Sequence, residues 1–102
     1  MAQTQEVRGT ATSIFHGDDM THVQYHATRV VSFNDRLIVL RSGGYHTNTT
    51  KTRMMQASNQ FGLQFSVYQK NHDWFVTFGG KTVDFADGMT LNRVTGVATY
   101  EK

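Results

Sequence analysis

Five histidines, His16, His22, His26, His46 and His72, are the residues whose types leave the most chemistry open. Imidazole titrates near neutral pH and ligates metals, so the question is which of them can act together. His22 and His26 fall on one face of a strand pattern, but four residues of strand span roughly 13 Å, too far for both to hold one ion. His16, His46 and His72 fall in three different loop segments. No helical His-x-x-x-His or His-Glu-x-x-His pattern occurs, and the chain has no cysteine, which excludes disulfides and thiolate metal sites. No metal and no cofactor are therefore expected. Histidine-based cleavage of a phosphodiester would need two imidazoles a phosphate apart and a cation for the developing charge. His46 with Lys51 or Arg53 is the best such group, and no recognised spacing supports it. No nucleophile elbow, phosphate loop or dinucleotide fingerprint is present, so the chain is read as non-enzymatic.

The stronger signal is binding. Residues 29 to 53 hold Arg29, Arg36, Arg41, Lys51 and Arg53 against one acid, Asp35, whereas residues 1 to 20 hold Glu6, Asp18 and Asp19 against Arg8. Charge segregated in this way steers a partner. Within the basic stretch, Ser42-Gly43-Gly44-Tyr45-His46-Thr47-Asn48-Thr49-Thr50-Lys51-Thr52-Arg53 combines hydroxyls, cations and the expected start of a helix. Helix-start N–H groups favour an anion. Arg41, Tyr45, His46, Thr49, Thr50, Lys51 and Arg53 are thus one candidate site, for a phosphate or an acidic protein surface. Arg41, Lys51 and Arg53 are expected to be largely exposed. The plainer reading is a capped loop beside a solvated basic face. The second candidate is the pair Tyr68 and Phe75, on the polar face of a strand pattern near Lys70 and Lys81. Rings among cations on a sheet are how single-stranded nucleic acids are stacked. The plainer reading there is a small secondary core.

These residues must be positioned by short elements. Residues 22 to 33 alternate, with Val23, Tyr25, Ala27, Val31 and Phe33 on one face, and read as one strand, interrupted at Arg29-Val30 by a bulge or by a side chain aimed elsewhere. Asn34-Asp35 turns the chain into Leu37–Leu40, closing a hairpin. A short helix is expected from about Lys51 to Gln60, capped by Thr49 or Thr50, with Met54, Ala57 and Phe61 as its apolar stripe and Gly62 as its stop. Residues 63 to 85 read as a three-stranded meander with a four-residue turn at Lys70-Asn71-His72-Asp73 and a two-residue turn at Gly79-Gly80. The turn lengths pair Val67 with Val76, Phe65 with Phe78, Val76 with Val83 and Trp74 with Phe85. Met89 and Leu91 follow the Asp87-Gly88 turn. Residues 92 to 102 read as a tail anchored by Val94, Val97 and Tyr100. The fold class is α+β, an antiparallel β-sheet of a hairpin plus three-stranded meander with one short helix, in the order β-β-α-β-β-β.

The chain of 102 residues reads as a single domain, with residues 1 to 20 as a loosely held N-terminal arm. Hydrophobic residues are 38% of it and aromatics 12%, so Phe, Tyr and Trp are expected to form much of the core. A companion chain, a homodimer partner included, could supply the rest. No apolar run reaches the ~20 residues of a membrane span, and the N-terminus lacks the basic and apolar parts of a secretion signal, so a cytoplasmic protein is expected.

Several stretches together resemble small proteins encoded by tailed bacteriophages. They are Thr49-Thr50-Lys51-Thr52-Arg53-Met54-Met55-Gln56, Phe61-Gly62-Leu63, Val67-Tyr68-Gln69-Lys70, Trp74-Phe75-Val76 and Phe85-Ala86-Asp87-Gly88-Met89. The resemblance covers about residues 25 to 91 and carries no site residue. It implies the host cytoplasm as location and a host protein or nucleoprotein complex as partner. It further implies a non-enzymatic inhibitor of the counter-defence kind, acting on restriction or CRISPR effectors. A direct nucleic-acid-binding protein using the basic loop and aromatic sheet face is the alternative, and a small histidine-dependent nuclease the third.

Overall fold

Three tight turns need backbone conformations that few residues adopt, and they set much of the architecture. The computed structural model of the chain describes residues 12–44 and 47–100. Among the described residues nine strands and one helix follow in order: β1 (Thr12–His16), β2 (Thr21–Tyr25), β3 (Thr28–Phe33), β4 (Leu37–Leu40), α1 (Asn48–Phe61), β5 (Ser66–Lys70), β6 (Asp73–Phe78), β7 (Lys81–Asp84), β8 (Met89–Asn92) and β9 (Ala98–Thr99). Asn71 and His72 join β5 to β6 at φ 53° and 72°, and Gly79-Gly80 join β6 to β7 at 60° and 78°. Two successive left-handed residues make the hairpin turn whose twist matches that of the flanking strands.

The three-stranded meander has the expected register. Val67 pairs with Val76 and Val76 with Val83. Trp74 is 5% exposed and lies 5.3 Å from the Phe85 ring, centroid to centroid. The ladder begins at Ser66 and Thr77, one residue inside the expected pair of Phe65 and Phe78, both of which are buried.

The remaining strands form a six-stranded antiparallel sheet in the order β1-β2-β3-β4-β8-β9. The α+β class, the hairpin, the single helix and the meander are as the sequence implies. The corrections lie in this sheet. Residues 22 to 33 are two strands, because His26 takes φ 55° and turns the chain back after Tyr25. The expected common face running through Tyr25 and Ala27 is broken there. The bulge is real: Val23 pairs with Val31 and Gln24 with Arg29, which leaves Val30 as the extra residue. Thr12–His16, within the expected arm, pair with β2 as an edge strand. The tail contributes β9, paired with β8, while Val94 and Val97, expected as apolar anchors, are exposed. Tyr100 does anchor, through its hydroxyl, which donates to the Asp84 carbonyl at 2.6 Å.

Helix α1 starts earlier than expected. Thr47 is its cap, accepting from the Thr50 N–H at 3.2 Å, so neither Thr49 nor Thr50 has that role. Thr47 has the extended backbone a cap needs, and the two later threonines are already helical. Gly62 ends the helix at φ 64°. One turn earlier, the Ser58 hydroxyl donates to the Phe65 carbonyl at 2.7 Å and accepts from the Phe65 N–H at 3.1 Å, which fixes the chain's path from α1 into β5. The helix packs on β2, β3 and β5, spanning both sheets. Its Met54 and Ala57 are fully buried, and Phe61 meets Phe33 at 4.8 Å.

The core is more aliphatic than the composition implies. Its largest fully buried side chains are Ile38, Leu40, Met54, Leu63, Met89 and Leu91. Pairing β4 with β8 sets Ile38 opposite Leu91 and Leu40 opposite Met89 at the middle of the larger sheet. Of the described aromatics, only Phe65, Trp74 and Phe78 join the buried set, while Tyr25, Phe33, Phe61 and Phe85 pack around it. Among the described residues no helix is long and apolar enough to cross a membrane.

Candidate functional site

The basic segment does not assemble as one surface. Successive helix residues turn by about 100°, so Lys51 and Arg53, two apart, leave α1 on nearly opposite sides. Lys51 Nζ reaches Gln69 Oε1 at 3.1 Å and sits 5.6 Å over the Trp74 ring, beside the meander. Arg53 goes the other way, donating from Nε to Thr12 Oγ1 at 2.7 Å and lying 5.6 Å over the Tyr25 ring, against β1 and β2. Both are half-buried, as is Arg41, so the expected exposure of all three is corrected. For Lys51 and Arg53 the charged head takes a local acceptor and lies over a ring, which draws the side chain onto the fold. Thr49 is half-buried and Thr50 fully buried under the helix start. Tyr45 and His46, the other two residues named for this site, lie outside the described residues.

The glycine pair in this loop already holds an anion. Asp87 Oδ1 accepts from the Ser42 N–H at 3.0 Å and the Ser42 hydroxyl at 2.6 Å. Burial pushes the Asp87 carboxyl up, but the Ser42 hydroxyl and the backbone N–H groups of Ser42, Gly44 and Gly43 outweigh it and hold the carboxyl below its ordinary range. Gly43 also lies so close to Thr28 that a side chain there would collide with its hydroxyl. The concave backbone that could cradle a phosphate is therefore filled by the chain's own carboxylate, 45 residues away in sequence. Beside it, Tyr25, His26, Ala27, Thr28, Ser42, Thr47 and Thr50 line a cleft of about 380 Å³.

Two of the described histidines meet neighbouring hydroxyls. His16 Nδ1 contacts Thr21 Oγ1 at 3.0 Å and His22 Nδ1 contacts the buried Ser32 Oγ at 2.7 Å. Burial, then Arg29 and Arg41, hold the His22 imidazole below its ordinary pKa. His26 and His72 occupy left-handed turn positions. Among the described residues no group of three or more His, Asp or Glu side chains forms a ligand set.

The second candidate does assemble. Tyr68 and Phe75 are cross-strand partners on the outer face of the meander, with ring centroids 5.6 Å apart and planes 30° from parallel. Tyr68 is 40% exposed, and Phe75 is half-buried. The register adds what the first reading of this face left out: Phe75 pairs on its other side with Asp84. Lys81, expected near the rings, pairs instead with the buried Phe78 and so belongs to the opposite face. Lys70 is on the aromatic face, directly across from Asp73. Asp84 was legible in principle, since the Gly79-Gly80 turn that pairs Phe78 with Lys81 must pair Phe75 with Asp84. Tyr100, bonded to the Asp84 carbonyl, carried no local signal for this place.

No curated protein and no solved structure matches the chain. A family model does match, over residues 1–92, so that every described element except β9 falls within it. The chain belongs to the Kyanoviridae Gp96 protein family, a family of cyanophage proteins.

Proposed function

We propose that this phage protein is a non-enzymatic binding protein that covers a surface on a host protein or nucleoprotein, as a counter-defence inhibitor does, and that it acts in the host cytoplasm. The observation that carries the reading is the cross-strand pair of Tyr68 and Phe75 on the outer face of the three-stranded meander, with Tyr68 exposed and Phe75 half-buried. A side chain of that size with few rotatable bonds loses little entropy on docking, and aromatics dominate the energetics of protein interfaces. The face is held from behind by Val67, Trp74 and Val76, all buried, so it is pre-formed. Membership of a phage family supplies the context, and a host component is the natural target.

Direct binding to nucleic acid has less behind it. Lys51 and Arg53 diverge around the helix and are engaged within the fold, while a carboxylate, Asp84, stands beside the aromatic pair. Phosphates would meet repulsion where stacking is offered.

The test is capture from host lysate with the tagged protein, with and without nuclease, using the wild type and the Tyr68→Ala/Phe75→Ala double variant. The expected result is a defined protein partner that survives nuclease and is lost with the double variant, whose melting curve stays close to wild type. Full retention by the double variant removes this face from the reading. A capture that nuclease abolishes and that weakens steeply with salt establishes the nucleic-acid alternative.

A further inference from the structure

Three residues make a row across the outer face of the meander, and a fourth joins it at the β7 edge. Tyr68 on β5 pairs with Phe75 on β6, and Phe75 pairs with Asp84 on β7. Beyond β7 the Tyr100 hydroxyl donates to the Asp84 carbonyl at 2.6 Å, with the residue 46% exposed. The sequence of groups is ring, ring, carboxylate, ring. Asp84 is exposed and has no cationic partner among the described residues. Its charge is felt by Tyr100, whose phenol is pushed up first by burial and then by Asp84.

Elsewhere three rings carry cations of the chain itself. Arg29 lies 4.9 Å over Phe15, Lys51 5.6 Å over Trp74 and Arg53 5.6 Å over Tyr25. The exposed pair, Tyr68 and Phe75, carries no such cation among the described residues. We infer that the row Tyr68–Phe75–Asp84–Tyr100 is the seat for a guanidinium or ammonium group of the partner protein, so that this face meets a basic protein surface. The inference rests on the binding reading above and names the chemistry of its partner.

The physical case is one of complementarity. Ring faces attract a cation within about 6 Å of their centroids. A carboxylate beside them supplies the counter-charge, and a planar guanidinium can stack on a ring while donating to that carboxylate. An apolar anchor docked here would desolvate Asp84 without pairing it, which is costly. A phosphate would be repelled by it. Lys70 shares the face, at the end of the sheet where Asp73 stands across from it.

The experiment is a titration of the full chain, followed through its backbone amide NMR shifts, with a short oligo-arginine peptide and with its neutral oligo-citrulline counterpart. The arginine peptide should shift the amides of Tyr68, Phe75, Asp84 and Tyr100, and the citrulline peptide should not. Asp84→Asn and Phe75→Thr should each weaken the arginine peptide by about fivefold, with Asp35→Asn as an unaffected control. Equal responses to both peptides, shifts centred on Asp18, Asp19 and Asp35, or an Asp84→Asn variant that binds as wild type would each overturn the inference. The two readings fail separately. If the captured host partner is lost with Tyr68→Ala/Phe75→Ala but kept by Asp84→Asn, the binding reading stands and the cation seat falls. If oligo-arginine binds at the row as described and no host protein is captured, the cation seat stands and the binding reading falls.

Discussion

Replacing Ser58 by alanine should be among the most costly single-atom deletions in this protein. The hydroxyl is buried, and it both donates to the Phe65 carbonyl at 2.7 Å and accepts from the Phe65 N–H at 3.1 Å. Ser58→Ala leaves both backbone groups of Phe65 without that partner, in a setting 3% exposed at Phe65. A buried polar group stripped of its partner costs about 1–3 kcal/mol, so the pair sums to about 2–6 kcal/mol. Alanine is the better helix former by about 0.5 kcal/mol, which offsets a little of this. The net expectation is a loss of about 2–5 kcal/mol, a large share of the ~5–15 kcal/mol that holds a typical domain. The melting temperature should fall by at least about 8 °C. The assay is equilibrium urea unfolding followed by Trp74 fluorescence, with the exposed Ser66→Ala as control, which should stay within about 0.5 kcal/mol. A Ser58→Ala curve that overlays the Ser66→Ala curve would refute the argument that this hydroxyl locks α1 to β5. The functional consequence is local, because Phe65 is three residues from Tyr68, so a loosened start to β5 should also blur the aromatic face.

Three further outcomes are expected. Val76 is fully buried between Val67 and Val83, so Val76→Asp should prevent folding, seen as loss of the cooperative transition in circular dichroism. Arg53→Glu should cost about 1–2 kcal/mol in urea unfolding by losing the bond to Thr12 and the ring of Tyr25, whereas Lys51→Glu should cost about half of that; equal and negligible effects would show that both are solvated charges. The third concerns pH. His22 is held below its ordinary 6.5, so as pH falls through that value the unfolded chain takes up a proton before the folded one does. Its contribution is therefore complete above about pH 6.5 and declines below it, levelling off once the folded imidazole also protonates. Asp87, also held low, adds a second decline below the ordinary carboxylate range. Melting temperatures across this range should show both steps, and His22→Gln should remove only the upper one.

What the amino-acid order determined by itself was whatever depends on neighbours in the chain. The meander is the clearest case: two-residue turns that must be left-handed, flanked by strict alternation, leave one register for Val67, Val76 and Val83. The bulge at Val30, the stop at Gly62 and the membership of Tyr68 and Phe75 in one exposed face are of the same kind. The His26 turn escaped because apolar and polar residues go on alternating through it, so the pattern hid a reversal that a single left-handed residue produces. Only the tertiary structure decided the rest, and in each case the partners are far apart in sequence. Strand β4 finds β8 rather than the meander, and Asp87 fills the Ser42–Gly44 cradle, 45 residues away. Arg53 crosses to Thr12, 41 residues distant, and Tyr100 returns to β7 to complete the row with Asp84. Composition counts the cations and rings. Which of them are spent on the protein's own fold and which stay turned to solvent is set by those long-range pairings, because a charged or aromatic head takes whichever acceptor or ring the folded chain brings within reach.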